Sequence, residues 1–154
     1  FLARKTLFNN KLFGALIRKV NTHPVSGAPG DIQVFKTITA LLQQGHKVVL
    51  FPEGTRSEDG RLKPLKPGIS LLVERSKSAI IPVYIDGAYE IWGKNRRLPK
   101  PFGKVRCVFG SPITWDSVAH LDKREAQLLI TQKLEDAWHA LKSWLANGAI
   151  GIPP

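Results

Sequence analysis

The stretch that decides the fold is residues 47–68, "KVVLFPEGTRSEDGRLKPLKPG". Its apolar start predicts a strand buried on both faces, and a loop of acid, glycine, hydroxyl and guanidinium follows at once. Pro67 and Gly68 predict the start of a helix, since proline is tolerated in the first turn. A strand that leads through a loop into a helix is typical of an α/β protein, in which ligands bind beyond the carboxyl ends of strands.

The rest of the chain extends this pattern in both directions. Asp31 is a candidate cap for a helix, which Gly45 ends. Asp116 or Asp122 begins a last helix with a long apolar stripe. The predicted strands are residues 1–4, 47–51, 79–85 and 104–109, the predicted helices are 6–20, 32–44, 69–77 and the last one, and residues 21–31 are a loop. We therefore predict an α/β fold with a layered sheet flanked by helices.

Composition limits the possible functions. The 154 residues suffice for a single domain, and 43% of them are hydrophobic, which excludes a disordered chain. The net charge of +11 favours partners that carry phosphate, such as an anionic membrane surface or a phosphorylated substrate. We expect no nucleic acid, because aromatic residues are not interleaved with Lys and Arg as a stacking surface requires. Cys107 lies in an alternating run and is predicted to be a buried, reduced thiol.

The loop after the predicted strand has the chemistry of an anion site. Arg56 offers a planar fork of donors that matches a phosphate, and Gly54 allows the backbone to approach a ligand closely. Thr55 adds a hydroxyl, and Lys66, like Lys63, adds a positive charge. Glu53 is the exception, and we expect it to orient an arginine or a loop amide.

These residues carry a resemblance to a known family. "FPEGTRS", residues 51–57, resembles the third signature block of the glycerolipid acyltransferases, typified by 1-acyl-sn-glycerol-3-phosphate acyltransferases. "LKPLKPG" (62–68) resembles its continuation, and "AIIPVYIDG" (79–87) resembles the fourth block, centred on Pro82. With "FLARK" at the start and "GSPI" at 110–113, the resemblance extends to about Thr114. The seven-residue block is the specific part.

The resemblance implies a glycerol-3-phosphate acyltransferase-like fold and an activity. A fatty acyl group passes from a thioester of coenzyme A or acyl carrier protein to a lysophospholipid hydroxyl, with no bound cofactor or metal. Carried over by position, Arg56 binds the phosphate of the acceptor. Glu53 supports catalysis, and the other substrate-binding positions are Gly54, Thr55, Lys66 and Pro82.

Two departures from the family pattern affect this interpretation. The family's catalytic block is a histidine, four residues and an aspartate, and none of the four histidines here has aspartate at that spacing. His120 is followed at that spacing by Glu125, which we interpret as a first-turn acid of a helix. We expect residues 1–154 to be the C-terminal part of a single acyltransferase domain, inactive alone, with the catalytic pair encoded upstream. In addition, Ser26 and Gly27 stand where the family usually has a second phosphate-binding arginine.

Alternatives therefore stay open. The acceptor could be lysophosphatidylethanolamine or an ornithine-type lipid, or the chain could belong to a larger lipid-recycling protein. A non-catalytic membrane-surface domain is the alternative from another class, since residues 89–104 mix Trp92 and Phe102 with Lys and Arg. No apolar run approaches the roughly 18 residues of a spanning helix. We expect the cytoplasmic face of a membrane as the location, with peripheral binding or anchoring through an N-terminal part.

Overall fold

The computed structural model describes residues 2–20, 22–25, 32–66 and 68–154. These residues form two compact units, Phe1–Phe51 and Pro52–Pro154. The boundary lies within the "FPEGTRS" block. The expectation of a single domain over residues 1–154 stays a prediction.

The first unit begins with a parallel strand pair. Strand β1 (Leu2–Arg4) pairs with β2 (His23–Val25), with Ala3 opposite Pro24. Strand β1 was predicted, whereas β2 lies within the predicted loop 21–31. That prediction was wrong at β2, because His-Pro-Val has weak strand signals of its own and is extended here by pairing with β1. Ser26, Gly27 and Asp31 lie outside the described residues.

Two helical segments replace the single predicted helix over residues 6–20. A 3₁₀ helix (Lys5–Phe8) precedes α1 (Lys11–Lys19). Asn10 separates them because its side-chain oxygen accepts a hydrogen bond from the N–H of Phe13 at 3.0 Å. Gly14 is buried, and a Cβ there would lie 3.0 Å from the carbonyl oxygen of Phe8, so the close approach of the two segments requires glycine.

Helix α2 (Ile32–Gln43) follows as predicted, and Gly45, two residues beyond its end, has a φ of +80°. Its apolar face is only partly covered, since Ile38 is buried while Ile32 is 67% exposed. The predicted strand 47–51 does not form, and Val49 and Phe51 are 46% and 66% exposed. That prediction was wrong because an extended segment needs a hydrogen-bonded neighbour, and no described strand pairs with it.

The second unit is built around α5 (Lys123–Ala146). Asp122, which directly precedes this helix, is its N-cap. The predicted apolar stripe is buried throughout, with Ile130 and Leu141 fully inaccessible. Helix α3 (Ile69–Ser76) contributes Val73 to the same core, and a 3₁₀ helix (Trp115–Val118) contributes both of its terminal residues. The stripe comprises Ile130, Leu134, Trp138, Leu141 and Leu145.

A second two-stranded sheet packs on the C-terminal half of α5. Strand β3 (Val83–Asp86) runs antiparallel to β4 (Arg106–Phe109), and the short helix α4 (Ala88–Trp92) follows β3 directly. The cross-strand pair of Tyr84 and Val108 packs with Leu141 and Leu145.

On the opposite face of this sheet, Ile85 is 42% and Phe109 61% exposed. This pair is antiparallel and packs a helix on one face, so its strands are not buried on both faces. Cys107, opposite Ile85, is exposed for the same reason, which corrects the predicted buried thiol.

Candidate active site

The candidate site lies in the loop of residues 52–66, whose conformation is fixed from within. The Glu53 carboxylate accepts a hydrogen bond from the backbone N–H of Lys63 at 2.8 Å. The N–H of Lys66 donates to the carbonyl oxygen of Pro52 at 2.9 Å. Glu53 is half-buried and therefore closes the loop by binding a loop amide, which is one of the two arrangements expected from the sequence.

Two leucines anchor the same loop to the core of the second unit. Leu62 and Leu65 are partly buried and pack against the cluster that contains Val73 and Ile130. Neither leucine was predicted to have a function. The signal was present in "LKPLKP", where the apolar residues stand three positions apart between lysines. Each leucine packs inward, so the loop has a rigid base under its polar residues.

At Gly54 a side chain of the same loop packs closely against the backbone. Its φ is +70°, a conformation that L side chains rarely adopt, and a Cβ there would lie 2.6–2.8 Å from the side-chain atoms of Lys66. The exposed Lys66 side chain therefore passes directly over the Gly54 backbone. Thr55 is exposed beside it, with its hydroxyl 3.5 Å from the carbonyl oxygen of Arg56. The structure thus brings Gly54, Thr55 and Lys66 together, and their assignment to substrate binding stays a prediction.

Arg56 is exposed, and its guanidinium lies 5.9 Å from the ring centroid of Trp92 on α4. This is the distance range of a cation–π contact. A guanidinium attracted to an aromatic ring keeps its N–H donors, which can bind an anion. The assignment of Arg56 to the acceptor phosphate is not tested by this geometry and stays a prediction, as do the roles assigned to the other site residues.

Helix α4 holds the outer part of the loop. The Tyr89 hydroxyl donates to the carbonyl oxygen of Glu58 at 2.7 Å, and Lys94 forms an ion pair with the Glu58 carboxylate. The hydrogen bond from Lys94, with the nearby charge of Lys63, holds the pKa of Glu58 below its ordinary value. Lys63 also reaches the carbonyl oxygen of Arg56 at 3.4 Å and the Glu58 carboxylate at 3.8 Å. Trp92 and Tyr89 were not predicted as neighbours of this loop, because more than thirty residues separate Tyr89 from Glu58.

Pro82 has a different environment from these polar groups. Its side chain is fully buried, and its carbonyl oxygen accepts a hydrogen bond from the N–H of Gly110 at 2.9 Å. Pro82 therefore aligns β3 with β4 at the start of the pair. His120 and Glu125 are exposed, and Glu125 occupies the first turn of α5 as expected.

The described residues contain no group of three or more His, Cys, Asp and Glu side chains able to hold a metal ion. Within the same part of the chain, no helix combines the length and apolar character needed to cross a membrane.

The loop that displays Glu53, Gly54 and Arg56 ahead of α3 is the block that resembles the acyltransferases. Residues 1–86 match the Acyltransferase family, and the chain belongs to that family. This confirms the resemblance found in the sequence.

Individual relatives agree with this assignment. The chain is 30% identical to a 1-acyl-sn-glycerol-3-phosphate acyltransferase of Bacillus subtilis, over 94% of this chain and 69% of that protein. It is 30% identical to a protein of the same name from Cocos nucifera, over 75% of this chain and 38% of the relative. A match of 29% identity to the Streptococcus pneumoniae protein of that name covers 40% of the relative. The chain thus spans from about two fifths to two thirds of these relatives.

A solved structure confirms the predicted fold class. The crystal structure of the 1-acyl-sn-glycerophosphate acyltransferase of Thermotoga maritima superimposes with a TM-score of 0.64. The sequence identity is 22%, and the match covers 88% of this chain and 55% of the Thermotoga chain. The similarity establishes the α/β acyltransferase fold.

Proposed function

We propose that the protein to which this chain belongs acylates lysophosphatidate to phosphatidate. In this reaction the acceptor hydroxyl attacks the carbonyl carbon of a fatty acyl thioester, an ester C–O bond forms, and the C–S bond breaks. The thiol of coenzyme A or acyl carrier protein leaves and carries the displaced proton. Family membership and the names of the relatives support this activity. No bound cofactor is needed, since the thioester itself supplies the activated acyl group.

The observation that carries the proposal is the arrangement of the "FPEGTRS" block. Glu53 fixes the loop through the N–H of Lys63, and Arg56 is exposed next to it. A carboxylate that is occupied with a loop amide competes less with a phosphate for the guanidinium. We assign the acceptor phosphate to Arg56, with Lys66 adding positive charge above Gly54. We assign proton removal from the acceptor hydroxyl to no residue of this chain.

Arg56→Ala in the whole protein tests the assignment. We expect the KM for lysophosphatidate to rise by about 10- to 150-fold, because one charged hydrogen-bonded contact contributes roughly 1.5–3 kcal/mol. We expect the KM for the thioester donor to be unchanged. Steady-state kinetics with each substrate varied in turn provide both numbers.

Arg61→Ala is the matched control. Arg61 lies in the same loop, its side chain is 84% exposed, and its nearest acid, Asp59, is 3.7 Å away. This variant should keep the acceptor KM of the wild type. An unchanged acceptor KM in Arg56→Ala, or equal effects of both variants, would remove Arg56 from the site.

A second experiment addresses the choice of substrates. The whole protein is assayed with lysophosphatidate, lysophosphatidylethanolamine and an ornithine-type lipid, each with an acyl-CoA and an acyl carrier protein thioester. We expect phosphatidate to be the main product. Preference for an acceptor without a terminal phosphate monoester would contradict the proposal, and Ser26 and Gly27, in place of the family's second arginine, would then explain the change.

A further inference from the structure

A segment outside the candidate site combines exposed apolar side chains with concentrated positive charge. We call residues 93–104, "GKNRRLPKPFGK", the docking loop. It contains five Lys and Arg residues and no acid, and the next acid along the chain is Asp116. Leu98 is 72% exposed and Phe102 is 87% exposed. Neither apolar side chain contributes to the core, and both lie among the cations.

The charge of this loop is mostly unpaired within the described residues. Lys94 pairs with Glu58, whereas the structure shows no ion pair for the other four cations. These four are exposed, and they are Arg96, Arg97, Lys100 and Lys104.

The backbone of the docking loop is folded against α4. The N–H of Lys100 donates to the carbonyl oxygen of Ile91 at 2.9 Å, and the Trp92 indole N–H donates to the carbonyl oxygen of Arg96 at 3.1 Å. A Cβ at Gly103 would lie 2.6 Å from the Ile91 side chain, so glycine allows the returning chain to approach the helix. The loop thus presents its exposed residues from a fixed base, and a bound partner costs little ordering entropy.

We propose that the docking loop binds the surface of an anionic lipid bilayer. Exposed Leu and Phe side chains insert at the boundary between head groups and acyl chains, and Lys and Arg attract anionic head groups. Single exposed apolar residues are normal on protein surfaces, but here two of them lie among cations that lack acidic partners. Charge complementarity therefore selects an anionic lipid surface as the occupant.

The position of the loop connects this surface to the candidate site. Trp92 precedes the docking loop and is 50% exposed, and the Arg56 guanidinium lies over its ring. A bilayer bound at residues 93–104 would place lipid head groups beside Arg56. The docking surface itself does not depend on acyl transfer, so it can be tested separately from the proposed function.

The test is cosedimentation of the whole protein with phosphatidylcholine vesicles, prepared with and without phosphatidylglycerol. The variant Arg97→Gln/Lys100→Gln removes two charges from the docking loop. We expect about 30-fold weaker partitioning onto the anionic vesicles, since each cation near such a surface contributes a factor of about five. The control Arg124→Gln/Lys142→Gln removes two exposed charges from α5 and should bind as the wild type does.

A second pair of variants tests the apolar contribution. Leu98→Ser/Phe102→Ser should reduce binding to anionic vesicles, whereas Leu128→Ser/Ile152→Ser, at exposed sites outside the loop, should not. Acyl transfer to acceptor in detergent micelles should be retained by all four variants, which separates a docking defect from loss of activity.

Three results would overturn the proposal. The first is equal binding of the docking-loop variants and their controls to anionic vesicles. The second is equal binding of the wild type to vesicles with and without phosphatidylglycerol. The third is that the docking-loop variants bind anionic vesicles as the wild type does but no longer bind a single-stranded oligonucleotide that the wild type binds. That result would assign the loop to nucleic acid instead.

Discussion

At the residue scale, the candidate site depends on one backbone conformation. Gly54 combines a φ of +70° with the Lys66 side chain directly above it. A glycine in this loop was expected to allow close approach of a ligand, and the structure shows close approach of a lysine from the same loop. The sequence identified the residue type that the position requires, and the fold determined which group occupies the space.

Gly54→Ala should have two effects. Unfolding should become easier by about 1–2 kcal/mol, the cost of a left-handed conformation for an L-residue. The KM for the acceptor should rise, because a Cβ would push Lys66 out of its position. Chemical denaturation and steady-state kinetics measure the two effects.

Gly148→Ala is the control for this prediction. Gly148 also has a positive φ, +91°, and a Cβ there would meet Ile150 only at 3.9–4.0 Å, an ordinary contact. Its stability should decrease by a similar amount with no change in acceptor KM. An acceptor KM that stays at the wild-type value in Gly54→Ala would show that the position of Lys66 is irrelevant to binding.

The prediction for Glu53 agrees with the structure and the prediction for Cys107 does not, for a physical reason. Glu53 binds a loop amide, as expected, because a carboxylate in a tight loop readily finds a nearby backbone donor. Cys107 is exposed although it was predicted to be buried. Alternation in a sequence identifies a strand, but it does not identify which face another element covers.

At the element scale, the start of α5 was predicted correctly from the sequence. Asp122, one of two candidates, is the N-cap of α5 and accepts hydrogen bonds from the N–H groups of Arg124 and Glu125 at 2.8 and 3.1 Å. The backbone N–H of Glu125 is the largest cause of a lowered pKa for the Asp122 carboxyl. The other candidate, Asp116, lies in the 3₁₀ helix before α5.

Asp122→Ala should lower the Tm near neutral pH by roughly 2–4 °C, the usual scale for loss of a helix cap in a protein of this size. The Tm difference between this variant and the wild type should be largest at pH values above 3.8, the ordinary pKa of an aspartate. It should disappear as the pH falls through the lowered pKa of Asp122 in the folded state. The reason is that only the charged carboxylate is favoured in the fold. Thermal melts across this pH range measure the difference.

Asp116→Ala is the matched variant, because Asp116 also precedes α5 but its side chain is exposed and makes no hydrogen bond in the described structure. It should melt close to the wild type at each pH. A Tm difference for Asp122→Ala that stays constant down to acidic pH would contradict the role of the charged cap.

Strands were predicted less well than helices. The apolar run at residues 47–51 is as strand-like as residues 83–86. In the described structure, residues 83–86 pair with β4, whereas residues 47–51 pair with no strand. A helix satisfies its own backbone, so its pattern is sufficient evidence for it. A strand needs a partner elsewhere in the chain, and local sequence does not show whether that partner is available.

At the scale of the whole molecule, the two compact units differ in how much of their helices they bury. Helix α5 buries a stripe along its full length, whereas α1 buries Gly14 and leaves Leu12 86% exposed. Backbone amides of α1 should therefore exchange with solvent faster than those of α5, since local opening of α1 exposes less apolar surface.

Hydrogen exchange with mass spectrometry measures this difference on the chain of 154 residues. Peptides from residues 123–146 should be the slowest to exchange in the second unit. Equal protection of α1 and α5 would show that the first unit is as stable as the second.

The sequence by itself determined the family, the α/β class, the apolar stripe of α5 and the loop chemistry at Glu53, Gly54 and Arg56. These follow from local patterns, in which residue type and spacing suffice. The tertiary structure alone decided that Lys66 lies over Gly54 and that Trp92 lies near Arg56. It also decided that Ile85 and Phe109, on one face of the β3–β4 pair, are exposed. Contacts and burial depend on which segments the path of the chain brings close together in space, and local residue type and spacing do not determine that path.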